Sequence, residues 1–166
     1  SKYRWPITIL RPQGVFGPYD TWQAGFVYHR LIHSLPLYVF PENKCKTNPL
    51  YVNDFIKSLL LVMDNPLSYG SVYGIAGDDI ITNLQFIKLC SRFSTCQPDL
   101  HFIDLPISYD NYETGKSWLD RDMVADCSKI KTDLGLKFTS LEHALEKTFY
   151  WLKNNPSHFE RNSNAF

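Results

Sequence analysis

Residues 7–10, Ile-Thr-Ile-Leu, place apolar or β-branched side chains on both faces of a short strand. Such a strand is out of place at a solvated sheet edge. It needs neighbours on either side and helices over its faces, as inside a parallel sheet. Gly14, Gly17 and Pro18 then break the strand into a loop. As the first element of the pattern, the strand has no earlier partner. A helix is expected over 21–33, carrying Trp22, Phe26, Leu31 and Ile32, and a strand over 37–40 between two prolines. Asn53-Asp54 reads as the cap of a helix with Phe55, Leu59, Val62 and Met63 on one face, stopped by Pro66.

A glycine-bracketed strand falls within 70–77. Thr82 and Gln85 have the spacing of a capping box for a helix reaching Phe93. A third strand is expected over 100–105, and an aperiodic loop over 107–122. Asp126 or Ser128 caps a short helix ending at Gly135, and Thr139 with Glu142 forms a second capping box for a final helix closed by Asn-Asn-Pro. Strands alternating with helices indicate an α/β fold. Residues 1–156 read as a single domain, and 157–166 as a polar tail.

Seventeen basic and seventeen acidic residues cancel. No global field exists to draw in nucleic acid or an anionic membrane. No apolar run approaches the ~20 residues needed to cross a bilayer. Aromatic residues make up 15% of the chain, enough to wall a cleft as well as fill a core. The four cysteines, Cys45, Cys90, Cys96 and Cys127, have neither CxxC nor zinc spacing. They read as free thiols of a reducing compartment, and a cytoplasmic protein is expected.

The sequence contains no GxGxxG turn, P-loop, HExxH or GxSxG. Tyr112 and Lys116 are its one Tyr–Lys pair at i, i+4, a spacing that on a helix could lower a phenol pKa for proton transfer. Gly115 and the polar residues around it argue against a helix there.

The segment "ITILRPQGVFGP" resembles the "tilRpxxvyGP" stretch of extended short-chain dehydrogenases/reductases, the NAD-dependent epimerase/dehydratase family. The likeness continues in register through "NPLYVNDFIKSLLLVMDNPLSYGSVYGIAGDDIITNLQFIKLC" and "VADCSKIKTDLGLKFTSLEHALEKTFYWLKNN". It implies the C-terminal half of a Rossmann-like fold with its small substrate-binding subdomain. The dinucleotide-binding half and the catalytic Tyr-x-x-x-Lys of that family lie upstream of the Arg-Pro loop, and Lys2 is too near Arg11 to be that lysine. The resemblance implies that Arg11, Pro12, Gln13 and Gly14 border the nicotinamide end of NAD or NADP in a longer parent. No cofactor is expected for this chain alone. As an alternative, Arg11 only ties down its loop by hydrogen bonds.

The substrate side of the resemblance falls on Gly17, Tyr19, Trp22, Phe26, His29, Arg30, Lys44 and Lys46, expected around one concavity. His29 reads as a proton carrier, a phosphate contact or a cleft wall. Lys44 and Lys46 read as phosphate contacts or a solvated turn, and Asp54 as a helix cap rather than a catalyst. Family members acting on nucleotide sugars often have Asn where this chain has Gly14. Losing a charge-assisted hydrogen bond weakens binding about ten- to a hundredfold. A substrate other than an ordinary nucleoside-diphosphate sugar is therefore expected. The layout of 26–55 is similar to a divergent branch that includes chloroplast stem-loop RNA-binding proteins.

The resemblance implies the substrate-binding portion of an NAD(P)-dependent epimerase, dehydratase or reductase acting on a sugar or related carbonyl compound, inactive as this chain alone. The alternatives are a non-catalytic binding member of the same fold and an autonomous interaction domain. Expected partners are a sugar-like small molecule and the N-terminal half, with no membrane and no nucleic acid. The exposed first strand is expected to drive self-association.

Overall fold

A computed structural model describes residues 6–39, 45–102 and 122–158. Its strands are β1 (Ile9–Pro12), β2 (Val15–Phe16), β3 (Leu37–Val39), β4 (Lys46–Thr47), β5 (Leu50–Tyr51), β6 (Val72–Ile75), β7 (Ile81–Thr82) and β8 (Leu100–Phe102). The helices are α1 (Ala24–Ile32), α2 (Val52–Val62), α3 (Asn83–Ser94), α4 (Ser128–Leu134) and α5 (Leu141–Asn154), with a 3-10 turn at Pro66–Ser68. Strands pair in twos: β1 with β6, β2 with β5 and β3 with β8 in parallel, and β4 with β7 antiparallel. Parallel neighbours need long crossovers, and α2 lies in the one that joins β1 to β6.

Two apolar clusters hold the chain together. One gathers Phe16, Val27, Leu31, Phe86, Ile87, Leu145 and Phe149, where α1, α3 and α5 meet. The other gathers Leu50, Tyr73, Ile75 and Ile130, with Leu10, Phe55 and Val62 packed against it. The second cluster seats α2 on the β1–β6 pair. The four cysteines are free thiols, three of them buried and Cys96 partly so. Among the described residues no helix is long and apolar enough to cross a membrane.

Several expectations need correction. The first strand runs over 9–12 rather than 7–10. Its exposure agrees with expectation: Ile7 is 55% and Ile9 46% exposed, and β6 is its one strand partner among the described residues. Helix α1 starts at Ala24, not Thr21. The Asp20 carboxylate accepts the N–H groups of Trp22, Gln23 and Gly25, holding 20–23 as a turn ahead of the helix. Gly25 permits this, since a Cβ there would strike the Asp20 carbonyl.

On α2 the apolar face is split. Phe55 and Val62 pack inward, whereas Leu59 is 40% and Met63 64% exposed. Nor is Asp54 a helix cap. It is buried in the first turn, where its carboxylate accepts the Thr139 N–H at 2.7 Å and the Thr139 hydroxyl at 2.9 Å. Thr139 is thereby withdrawn from its expected capping box. Ser140 caps α5 by accepting the His143 N–H, and Glu142 pairs with Arg92. The Thr82–Gln85 box forms as expected. Ahead of α4, Asp126 takes the Ser128 N–H and hydroxyl, and Gly135 ends that helix in the left-handed region. Lys44, the Tyr112–Lys116 pair and most of the 107–122 loop lie outside the described residues, as does nearly all of the 157–166 tail.

Candidate functional site

In open α/β sheets ligands bind beyond the carboxyl ends of parallel strands. Strands β1 and β6 end together, Pro12 opposite Ile75, and the loop after β1 begins there. The Gln13 N–H donates to the Ile75 carbonyl, the Gln13 side chain to Met123 O at 2.7 Å, and the Leu50 N–H to Gly14 O. The peptide between Gln13 and Gly14 keeps both its carbonyl and its N–H unpaired among the described residues. Arg11 is exposed, and among the described residues its side chain makes no hydrogen bond or ion pair.

The 122–127 segment closes one side of this loop. It is fastened by Gln13 at Met123 and by Lys46, whose N–H reaches Asp122 and whose carbonyl accepts from Met123. Asn48 fastens it again, donating to Ala125 O and accepting from Ala125 N. An open cleft of about 530 Å³ borders this clamp, lined by Asn48, Gly77, Asp78, Asp126, Cys127 and Lys131 among others. Lys131 pairs with Asp78 at 2.8 Å across it. Burial pushes the Cys127 thiol up and outweighs the Ala76 N–H, which its sulfur accepts and which pulls the other way, so this is no ready thiolate.

Those of the residues expected to bind substrate that are described do not line that cleft. Gly17 lies at φ 152° with Val52 packed where a Cβ would stand, so it is a turn position closed to other residues. Tyr19 places its ring 4.4 Å from that of Trp151 on α5. Trp22 is 71% exposed. Phe26 packs on the first cluster beneath Arg30, whose guanidinium carbon is 5.2 Å from the ring centroid. Arg30 is only 6% exposed, and its Nε donates to Pro36 O, closing the turn after α1. His29 stacks near His33 at 4.5 Å. Burial, then the charges of His33 and Arg30, hold its pKa below the usual imidazole value. Lys46 is exposed.

Gly14 does meet another polar side chain. A Cβ there would collide with the Gln23 amide nitrogen. Gln23, Asn48, Asp78 and Lys131 are the residues that sequence reasoning passed over. Tertiary packing brings Asn48, Asp78 and Lys131 to the cleft and sets Gln23 over Gly14.

The architecture has known counterparts. A Bacillus cereus UDP-glucuronic acid 4-epimerase, solved with NAD, superposes over 92% of this chain and 45% of its own, with a TM-score of 0.71 and 22% identity. The shared architecture is part of a Rossmann-like α/β fold. A Bacillus anthracis dTDP-glucose 4,6-dehydratase in complex with NAD covers 94% of this chain and 47% of its own, at a TM-score of 0.75 and 18% identity. A Thermotoga maritima UDP-glucose 4-epimerase with UDP-glucose covers 90% and 46%, at 0.70 and 21%. The chain thus spans less than half the length of these solved enzymes. No protein-family model matches the sequence, and no curated protein matches it.

Proposed function

We propose that this chain is the C-terminal, substrate-binding portion of a longer cytoplasmic NAD(P)-dependent epimerase, dehydratase or reductase acting on a sugar or a related carbonyl compound. One observation carries the reading: more than nine-tenths of the chain fits epimerase and dehydratase structures that are about twice as long. Fold alone does not assign chemistry, so the remaining support comes from the loop after β1.

A nicotinamide carboxamide needs backbone partners, and the open Gln13 carbonyl and Gly14 N–H, which face opposite sides of their trans peptide, each leave one such group available beside the strand end. Arg11 and Pro12, exposed beside it, would border the same ring. The bound cofactor supplies reversible hydride transfer. This chain's own part is to orient the carboxamide and to hold substrate against it. The substrate side is formed by Gly17, Tyr19, Trp22, Phe26, His29, Arg30 and Lys46, together with Lys44. Within that set, buried Arg30 acts by fixing the helix end, and exposed Tyr19, Trp22 and Lys46 are the groups open to a ligand. The pyrophosphate of the cofactor has no Gly-rich turn in this sequence, so the N-terminal half supplies that site and the proton-transfer residues.

The test is the complete gene product, purified and given UDP-glucuronic acid, UDP-glucose and dTDP-glucose with NAD or NADP. The expected result is turnover of a sugar substrate that is abolished when the part upstream of Ser1 is deleted. A complete protein that binds neither NAD nor NADP overturns the proposal.

A further inference from the structure

The loop after β1 contains a polar side chain whose hydrogen bonding is unmet. Gln23 immediately precedes α1, but its side chain does not cap that helix, and the Asp20 carboxylate does so instead. The Gln23 amide lies over Gly14, in the volume that a side chain at position 14 would fill. Its Cδ is 3.1 Å and its Oε1 3.5 Å from a Cβ built on that glycine. Oε1 is buried and accepts no hydrogen bond among the described residues. Buried polar atoms are paired in the large majority of cases, and an orphan calls for a physical reason. Nearby, Gln13 Nε2 is committed to Met123 O and Gly14 O to the Leu50 N–H, and the open Gly14 N–H does not reach Oε1.

We propose that the Gln23 side-chain amide is the group with which this loop reads a hydroxyl of a sugar-type substrate. The inference rests on the substrate-binding reading above. An orphan acceptor takes a donor. A diphosphate ester carries none near neutral pH, whereas every sugar hydroxyl does. The terminal torsion of glutamine is soft, so the amide turns toward an incoming ligand without moving α1. Glycine at position 14 is what leaves room for it. The lack of an asparagine there therefore does not argue against a nucleotide sugar, because another amide already stands in that space.

The full chain, ¹⁵N-labelled, is titrated with UDP-glucose and separately with UDP. In the wild type the Gln23 side-chain NH₂ resonance moves with UDP-glucose and stays in place with UDP. Gln23→Met keeps the bulk and removes the acceptor. It is expected to weaken UDP-glucose about three- to tenfold and to leave UDP unchanged. Returning an amide from the other side, as Gln23→Ala with Gly14→Asn, restores most of the loss. Equal weakening of both ligands, or unchanged UDP-glucose affinity in Gln23→Met, overturns this inference while leaving the substrate-binding reading intact. A wild-type chain that binds neither probe overturns both. The wild-type resonance decides the matter even if a variant fails to fold.

Discussion

Removing the Asp54 carboxylate tests whether it clamps two distant segments or only decorates a helix end. Its side chain is 1% exposed and holds Thr139, 85 positions away, through the N–H at 2.7 Å and the hydroxyl at 2.9 Å. Lys57 contributes a third contact at 2.8 Å from a side chain that is 53% exposed. Hydrogen bonds to a charged acceptor contribute about 1.5–3 kcal/mol each, whereas a solvent-screened partner such as Lys57 adds under about 1 kcal/mol. Leaving a buried donor unpaired costs about 1–3 kcal/mol, and Asp54→Ala strands two of them on Thr139, so a loss of about 2–5 kcal/mol is expected. Against a typical total of about 5–15 kcal/mol, this is a large fraction.

Urea unfolding followed by tryptophan fluorescence measures it. Thr139→Val removes only the hydroxyl and should cost about 1–3 kcal/mol, with Lys57→Ala costing less than about 1 kcal/mol. In the double-mutant cycle Asp54 and Thr139 should couple by at least about 1 kcal/mol. An Asp54→Ala loss below about 1 kcal/mol, or additive effects of the two changes, would refute the clamp.

Asp20 gives a pH signature. Burial pushes its carboxyl above 3.8, against the N–H bonds of Gln23, Trp22 and Gly25 that pull it down. The folded chain then keeps this proton after the unfolded chain has lost it, so stability falls as pH rises from 3.8 through the folded value. Asp20→Asn retains an acceptor for the turn and should flatten that slope in acid titrations of unfolding. A slope identical to wild type contradicts the assignment. The apolar surface makes a separate claim: Ile9, Ile56, Leu60 and Met63 are 46–64% exposed on β1 and α2, and at about 1.5–3 kcal/mol for each such side chain once covered, self-association is favoured. Ile9→Lys with Leu60→Lys should shift the isolated chain toward monomer in sedimentation, and calorimetry on the same samples should find no tight binding of NAD or NADP. A monomeric wild type, or micromolar dinucleotide affinity, counts against this account.

Local sequence determined most of the helices, because their signals are local. The Thr82–Gln85 box, the Gly135 stop and the Asn-Asn-Pro end act within one turn, and each appears where its residues stand. The β1–β6 pairing was not legible, because the first strand called for neighbours without any pattern that named Val72–Ile75 as one. Capping choices that depend on a distant partner were not legible. Thr139 has the spacing of a cap, but an aspartate 85 positions away binds it more strongly, and Ser140 takes over. The same holds at the candidate site. Arg-Pro-Gln-Gly marks the loop after β1, yet nothing near Gly14 in sequence indicates that Gln23 fills its empty side-chain volume. Nor does any pattern show that Asn48 binds the Ala125 backbone. Hydrophobic period and capping spacing are read along the chain, whereas a shared volume or an unpaired oxygen is settled only when separate segments are packed against each other.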